Sequence, residues 1–381
     1  MTMSKTSTST VDEKSTATVD ESFGGPVPTA VRCGDDFLVI QRAWPHERQP
    51  GDAGATLTVE GRDEQGRLRA GRLELTQGGA TSSPGPVWQV RAAQITPPGS
   101  DPKLAGLAAA AEGHTVVVHR FGKRAVIART ADYVKVVRAG RGPSVAEQAR
   151  RGRELSQASG FAAPEVLTEA ADQVSFGILA GQSLHEVGAH APLEQWTATW
   201  QLWGHHWQVL TGLHAPDLAP HTPEDEVRVL QRWIGLAEEF GALPPRVLAG
   251  LRARADRVCA VLLGGEAQAP VVSHRDLHDK QILADGASLG LLDFDTAALA
   301  EPALDLANLW VHAGLRADQH LWSHEHAEVA REAIMGLADQ LDVEPERFET
   351  YAAATRLRLA CLYAFRPAHR DLALAWADEV V

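Results

Sequence analysis

The sequence has few cysteines and no long apolar run. Its three cysteines, Cys33, Cys259 and Cys361, lie far apart in 381 residues, and none has the spacing typical of metal or redox sites. No apolar stretch is long enough to cross a bilayer, and the chain does not open with the basic and apolar pattern of a signal peptide. These absences predict a reduced, cytoplasmic protein without a membrane contact.

An excess of basic charge is also absent. The chain has 49 acidic and 36 basic residues, a net charge of −13 at pH 7. Nucleic acids and anionic membranes bind basic surfaces, so we expect neither partner. The acidic balance is compatible with a cationic small molecule. The hydrophobic content of 44% is sufficient to bury large cores, and the length indicates two or three domains or lobes.

One segment, Val271–Asn308, carries residues with an obvious chemistry. It contains His-Arg-Asp-Leu at 274–277, then Gln281, then an apolar run that ends in Asp-Phe-Asp at 293–295. Transfer of a phosphoryl group from ATP to a hydroxyl needs a carboxylate to accept the hydroxyl proton and oxygen ligands for Mg²⁺. Protein kinases place these groups in the patterns H-R-D-L-x-x-x-N and D-F-G. The segment therefore predicts a phosphoryl-transfer centre.

The same patterns assign roles to single residues. Asp276 is the predicted base, and Gln281 and Asp293 are the predicted Mg²⁺ ligands. Gln281 stands where the kinase pattern has Asn, and its amide oxygen is a suitable ligand on a side chain one methylene longer. Asp295 is either a second carboxylate facing the metal or a turn residue. Asp305 precedes an apolar helical run, which favours a helix N-cap or a scaffold role.

The order of these elements resembles the superfamily of aminoglycoside phosphotransferases and choline kinases. The strings S-H-R-D-L-H-D-K-Q-I-L, L-L-D-F-D and E-P-A-L-D-L-A follow the family's H-G-D-L-H-x-x-N-x-L, I-D-F and D-P-x-x-D-L-A. The chain departs from the family at Arg275 for Gly, at Gln281 for Asn and at Glu301 for Asp. Gln at the metal position is similar to maltokinase and glucosamine kinase relatives, which favours a sugar-like acceptor.

The resemblance implies an α+β, protein-kinase-like fold of two lobes that uses ATP and Mg²⁺. We place the β-rich nucleotide lobe at residues 106–180 and the helical lobe, with the catalytic loop and acceptor pocket, at 181–381. The turn at 120–123 would then be the phosphate-covering hairpin, and its backbone N–H groups are candidate phosphate contacts. Family hinge positions fall on Ile178–Ala180, so Ile178 and Ala180 are the expected adenine contacts.

A single lysine, Lys135, lies inside the apolar strand predicted at Tyr133–Val137. A buried lysine requires an anionic partner, although edge strands also tolerate an exposed lysine. The resemblance implies that Lys135 binds the ATP phosphates and pairs with a glutamate of the following helix. Alignment with the family favours Glu147 for that partner, with Glu154 as the alternative.

The N-terminal region precedes the nucleotide lobe. Residues 1–22 are rich in serine and threonine with few apolar side chains, which predicts a disordered tail. Residues 23–105 contain short alternating segments that predict a β-rich extension. Maltokinase-like relatives have a cap in a similar position, so the extension either caps the active site or widens the sheet of the nucleotide lobe.

Two functions agree with these patterns. The first is transfer of the γ-phosphate of ATP to a hydroxyl of a small molecule such as a sugar, amino sugar or aminoglycoside. The alternative is a nucleotide-binding pseudokinase with a regulatory or scaffolding role, which Gln281 and Asp295 favour. A protein-serine kinase is disfavoured because no A-P-E element follows Asp293. The sequence leaves the identity of the acceptor and the oligomeric state open.

Overall fold

The structure is a computed structural model that describes residues 17–19, 25–48, 51–52, 54–78 and 86–380. It contains a β-rich N-terminal part and a helical C-terminal part, which confirms the predicted α+β class. Most of the predicted tail, 1–22, lies outside the described residues. The exception is a three-residue strand at Ala17–Val19, which the composition of the tail did not predict.

The extension forms a six-stranded antiparallel sheet whose strands follow one another in chain order. Apolar and polar side chains alternate along its strands, and tight turns connect them. In one such turn, Asp63 accepts the backbone N–H groups of Gln65 and Arg67. This sheet is separate from that of the nucleotide lobe, so the extension does not widen the latter. Its strands are β1 (Ala17–Val19), β2 (Ala30–Cys33), β3 (Asp36–Pro45), β4 (Gly54–Arg62), β5 (Leu68–Gln77) and β6 (Trp88–Ile95).

The predicted nucleotide lobe is a five-stranded antiparallel sheet in the order β10-β11-β9-β8-β7, with one long helix packed against it. In this lobe, the strand predicted at Tyr133–Val137 forms and begins one residue earlier, at Asp132. Its elements are α1 (Leu107–Ala111), β7 (Thr115–Arg120), β8 (Arg124–Ala128), β9 (Asp132–Val137), α2 (Gly142–Ala158), β10 (Val166–Glu169) and β11 (Gln173–Gly177).

The C-terminal lobe is helical, with short strands that hold the catalytic segment. Its helices are α3 (Leu184–Val187), α4 (Leu193–Thr211), α5 (Pro223–Phe240), α6 (Pro245–Gly264), α7 (Pro302–Asp318), α8 (His324–Gln340), α9 (Pro345–Tyr363) and α10 (Arg370–Val380). Its strands are β12 (Gln182–Ser183), β13 (Val271–Ser273), β14 (Ile282–Asp285), β15 (Ser288–Leu291) and β16 (Ala298–Ala300). Within the described ranges, no helix combines the length and the apolar character that a membrane span requires.

Four tryptophans of α4 form the centre of the helical lobe. Trp196, Trp200, Trp203 and Trp207 recur at three- and four-residue spacing and are at most 1% exposed. Neighbouring rings contact one another, with centroids 5.3–5.8 Å apart. The aromatic stripe is therefore core.

The extension contacts both lobes. Trp88 of β6 donates its indole N–H to the carbonyl of Phe240 at the end of α5 (2.9 Å). Ala43 of β3 donates its backbone N–H to the carbonyl of Phe365, just beyond α9 (2.9 Å). On the other side, Glu60 of β4 accepts the backbone N–H of His119 in β7 (2.6 Å). The extension thus connects the β7–β8 hairpin to the helical lobe.

Candidate active site

The predicted catalytic loop follows β13 and is held by a carboxylate of α7. Asp305, in the first turn of α7, accepts the backbone N–H groups of His274 (2.6 Å) and Arg275 (2.8 Å). The N-cap of α7 is Glu301, so the N-cap role considered for Asp305 is wrong and the scaffold role describes its contacts. Burial raises the pKa of Asp305, while the charge and N–H of His274 oppose that rise.

His274 joins the catalytic loop to the Asp-Phe-Asp segment. Its Nε2 lies 2.8 Å from the carbonyl oxygen of Leu292, and its ring meets Phe294 edge-on with centroids 5.0 Å apart. The carbonyl oxygen of His274 accepts the hydroxyl of Thr296 (2.9 Å). The histidine is therefore a packing and hydrogen-bonding residue that sets the distance between the two segments, and Asp276 is exposed in the loop beside it.

The β14–β15 hairpin brings Gln281 and Asp293 to the same end. Ile282 pairs with Leu291, and the backbone N–H of Leu292 donates to the carbonyl of Gln281 (2.9 Å). Gln281 is buried, whereas the carboxylate of Asp293 is half exposed toward the cleft between the lobes. The two predicted metal ligands thus lie at neighbouring positions.

Lys135 lies in the cleft, buried in β9 as the apolar strand predicted. Its ammonium is 2.8 Å from Asp295 Oδ2 and 3.7 Å from Asp293 Oδ1. The predicted pairing with Glu147 is not formed: Glu147 and the alternative Glu154 are both exposed on α2. The residues of α2 that face the cleft are Val145, Ala149, Gly152 and Arg153.

The cleft has a volume of about 590 Å³, a size suited to a small ligand. Lys135, Asp293 and Asp295 line one part of it, and Ile178 lines another. Ala180 is exposed and does not line the cleft, whereas the neighbouring Gly181 does. Asp276 and Gln281 are beside the cleft and do not line it.

Arg153 is a cleft residue that the sequence did not reveal. It lines the cleft from α2, and its buried Nε has no hydrogen-bond partner among the described residues. Helical spacing alone does not indicate it, since several other charged residues of α2 look equivalent in sequence. An unpaired guanidinium N–H in the same cleft as Lys135 is suited to an anionic ligand.

The donor set at the cleft is compatible with Mg²⁺ held together with a substrate phosphate. Within the described part of the chain, no three His, Cys, Asp or Glu side chains form a metal cluster. Magnesium sites of kinases use one or two carboxylates and complete the shell with phosphates and water. Asp293 and Asp295 provide such oxygen donors in the cleft, where both lie within salt-bridge distance of the Lys135 ammonium.

Comparison with known proteins shows the family. The model of the phosphotransferase enzyme family APH matches residues 123–351, which is more than half of the 381 residues. The chain belongs to this phosphotransferase family. This match confirms the predicted superfamily, and it confirms the prediction that the protein is a small-molecule phosphotransferase. No curated protein matches the chain.

Two solved structures with TM-scores above 0.5 show the same fold. Amicoumacin kinase hAmiN, in complex with AMP-PNP, Ca²⁺ and Ami, is 10% identical, with a TM-score of 0.52 over 71% of this chain and 88% of that one. A thermostable mutant of aminoglycoside phosphotransferase APH(4)-Ia is 14% identical, with a TM-score of 0.51 over 70% and 93% of the two chains. Aminoglycoside phosphotransferase APH(3'')-Id from Streptomyces rimosus is 20% identical, with a TM-score of 0.47 over 68% and 96%.

Two departures from the family pattern have visible structural consequences. Arg275 has a φ of 70°, a conformation that glycine adopts freely and arginine does not, which explains the usual Gly. Glu301 is buried and accepts hydrogen bonds from Arg347 and from the hydroxyl of Tyr351 (2.6 Å). The longer acid therefore ties the start of α7 to α9.

Asp279 is a further buried carboxylate, and the sequence did not reveal its role. It accepts two hydrogen bonds from Arg316 of α7 (both 2.7 Å) and lies 2.8 Å from His185 Nδ1. Burial opposes its ionisation, but the hydrogen bond from His185 and the charge of Arg316 prevail and lower the pKa of Asp279 well below its usual range. Asp279 thus fixes the catalytic loop to α3 and α7. No pattern marks it, because its partners are distant in sequence.

Proposed function

We propose that the chain transfers the γ-phosphate of ATP, with Mg²⁺, to a hydroxyl of a small molecule. The observation that carries this proposal is the contact of Lys135 with Asp295 and Asp293 in a cleft that adjoins the loop of Asp276. One cation, two carboxylates and an exposed carboxylate on an adjacent loop are the groups that phosphoryl transfer requires.

Each residue has a distinct task in this proposal. Asp276 orients the acceptor hydroxyl and accepts its proton, while Lys135 and Arg153 hold phosphate oxygens. Gln281 and Asp293 would hold Mg²⁺, which supplies charge neutralisation of the transferred group. Ile178 contributes to the adenine end of the cleft. Catalysis then comes mainly from positioning and electrostatics.

The finer assignments belong to the same proposal. Residues 106–180 form the nucleotide lobe, 181–381 the helical lobe, and the extension at 23–105 caps the acceptor side. A cytoplasmic location, where ATP is plentiful, and a sugar-like acceptor complete it. Gly122 in the hairpin turn already donates its N–H to Asp101 (2.7 Å), so this predicted phosphate contact is excluded from the proposal.

The test is ADP release from Mg²⁺-ATP across a panel of sugars, sugar phosphates, amino sugars and aminoglycosides. We expect one class of acceptor to stimulate release. The variant Asp276→Asn should lose about 10² to 10⁴ in turnover, the range of a positioned base, and still bind nucleotide. Near-normal turnover of this variant would exclude Asp276 as the base.

A pseudokinase is the second candidate, because the ammonium of Lys135 is already paired with Asp295 inside the cleft. In that case the protein binds ATP and releases no ADP with any acceptor. Thermal stabilisation by ATP without turnover over the whole panel would favour this alternative.

A further inference from the structure

Basic side chains are concentrated at the tip of the β7–β8 hairpin. Val118 and Val126 line the cleft and pair with each other across the hairpin, and the next residues on the same strand faces are Arg120 and Arg124. Side chains two residues apart in a strand share a face, so the arginine pair continues the roof of the cleft.

The direction of that continuation is set by the sheet register. Lys135 pairs with Val126 and with Val174, whereas Asp132, at the other end of β9, pairs with Gly177 beside the hinge. Arg124 pairs with Val137, on the side of Lys135 away from the hinge. The arginines therefore lie beyond Lys135, on the side away from the hinge.

The extension adds a third arginine. The guanidinium groups of Arg42 and Arg120 both pack on the ring of Trp44, at 5.2 and 5.0 Å from its centroid. The Nε of Arg120 is buried and has no hydrogen-bond partner among the described residues. A buried guanidinium N–H without a partner is unfavourable unless a ligand satisfies it.

Nearby carboxylates are already engaged. Glu60 binds Arg42 and the backbone N–H of His119, and Asp101 accepts the backbone N–H groups of Lys103 and Gly122 and contacts the His119 ring. Within the described residues, Arg120, Lys123 and Arg124 have no acidic salt-bridge partner. Burial, with the like charges of Arg124, Arg232 and Arg42, lowers the pKa of Arg120 accordingly.

A fourth arginine leads from the extension to the catalytic loop. Because Ala43 hydrogen-bonds Phe365, Arg42 and Arg366 flank the same backbone contact. Arg366 packs on Tyr363 at 4.1 Å, and burial together with the charges of Arg42 and Arg316 lowers its pKa. Lys280, which follows Asp276 by four residues, senses the charge of Arg366. The charge of Arg42 thus acts on Arg366, and that of Arg366 on Lys280 next to the predicted catalytic loop.

We propose that this arginine wall, formed by Arg42, Arg120, Arg124 and Arg366, binds an anionic group of the acceptor. The group is a phosphate or carboxylate, so the substrate class is an acidic hydroxyl compound such as a sugar phosphate, and a polycationic aminoglycoside is disfavoured. This inference rests on the proposed function. The register places Arg120 and Arg124 on the side of Lys135 away from the hinge, so we assign the group to the acceptor and not to the nucleotide.

The test is a thermal-shift titration with the cleft saturated by Mg²⁺ and AMP-PNP. The probes are orthophosphate, glucose 6-phosphate and glucuronate, with glucose and glucosamine as matched probes that carry no negative charge. We expect the anionic probes alone to raise the melting temperature. In Arg120→Gln and Arg366→Gln the apparent Kd should rise roughly tenfold or more, since charge-assisted hydrogen bonds are strong. Arg120→Lys should retain part of the response.

The control is Arg91→Gln, which removes an exposed arginine of the extension paired with Glu74 and should bind the probes like the wild type. An unchanged melting temperature with all anionic probes, or equal shifts in wild type and wall variants, would overturn the proposal. Loss of the AMP-PNP shift in the wall variants would assign the wall to the nucleotide and also overturn it. The titration needs no turnover, so anion binding without ADP release would refute the proposed function and leave the wall intact.

Discussion

Single residues explain how this chain differs from its family pattern. Arg275 has a left-handed backbone conformation at a position where the family has glycine. Its N–H donates one of the two hydrogen bonds that Asp305 accepts from the loop. A non-glycine residue in this region costs about 1–2 kcal/mol. The loop next to Asp276 therefore contains backbone strain that the Asp305 hydrogen bonds must offset.

This strain predicts the order of stability of two variants. Arg275→Gly should be about 1 kcal/mol more stable than Arg275→Ala, because only glycine adopts a φ of 70° without a Cβ penalty. Urea denaturation measures the difference. At the exposed Arg254, within helix α6, the same pair should show the opposite order, since glycine weakens helices. If the glycine and alanine variants had the same order of stability at both sites, the loop would be unstrained.

A second residue-scale prediction concerns the cleft. Lys135→Met should weaken ATP binding at least tenfold, because it removes the cation that faces the two aspartates. The variant Asp295→Asn removes the competing carboxylate and should strengthen binding of ATP measured without Mg²⁺. Calorimetric titration of both variants checks this. If Asp295→Asn weakened metal-free binding, the carboxylate would have another role than pairing with Lys135.

Among the elements, α7 does the most to organise the site. Along its length it presents Asp305 to the loop backbone, Asn308 to the carbonyl of Leu277 (2.7 Å), and Arg316 to Asp279. It also buries His312 against the ring of His278, with centroids 5.0 Å apart. One face of one helix thus holds the catalytic loop at several points.

The histidine pair predicts how stability depends on pH. Burial lowers the pKa of His312 well below its usual 6.5, with help from the charges of His278 and Arg316, and it also lowers the pKa of His278. The unfolded chain binds protons there below about pH 6.5 while the folded chain does not. The free energy of unfolding should therefore fall as the pH falls below 6.5.

Chemical denaturation at pH 7.5 and 5.5 measures this loss. In His312→Gln the loss should be smaller, and in the control His114→Gln, at an exposed histidine, it should match the wild type. The carboxylate of Asp279, whose pKa is lowered, acts only at more acidic pH and does not contribute to this interval. An identical loss in His312→Gln would exclude the pair as its source.

At the scale of the whole molecule, the extension joins the nucleotide hairpin to the helical lobe. Trp88 is its main anchor: the buried indole lies 5.6 Å from the ring of Phe240 and donates to the Phe240 carbonyl. The overall charge of −13 coexists with a local basic wall where the three parts meet. Net charge therefore does not reveal the charge of the acceptor side.

The anchor gives a prediction at this scale. Trp88→Ala should lower the free energy of unfolding by about 3–5 kcal/mol, the usual cost of deleting a buried aromatic side chain. Trp88→Phe keeps a ring and loses one hydrogen bond, so we expect about 1 kcal/mol. Differential scanning calorimetry, with limited proteolysis of the extension, compares them. Equal stability of all three proteins would show that the extension does not depend on this contact.

Sequence alone was sufficient for the parts of this protein that local chemistry specifies. The order of the motifs identified the family, the apolar periodicity located strands, and the isolated lysine indicated a buried cation. Each of these signals lies within a short window, where spacing and side-chain type determine the outcome.

Tertiary structure decided which distant residues meet. The rotation of α2 turned Glu147 outward and Arg153 inward, and Lys135 paired with Asp295, 160 residues further along the chain. The network of Asp279 and the arginine wall likewise unite segments from the extension, the hairpin and the C-terminal helices. Such contacts depend on how elements pack against one another, and this packing cannot be read from the residues that are neighbours along the chain.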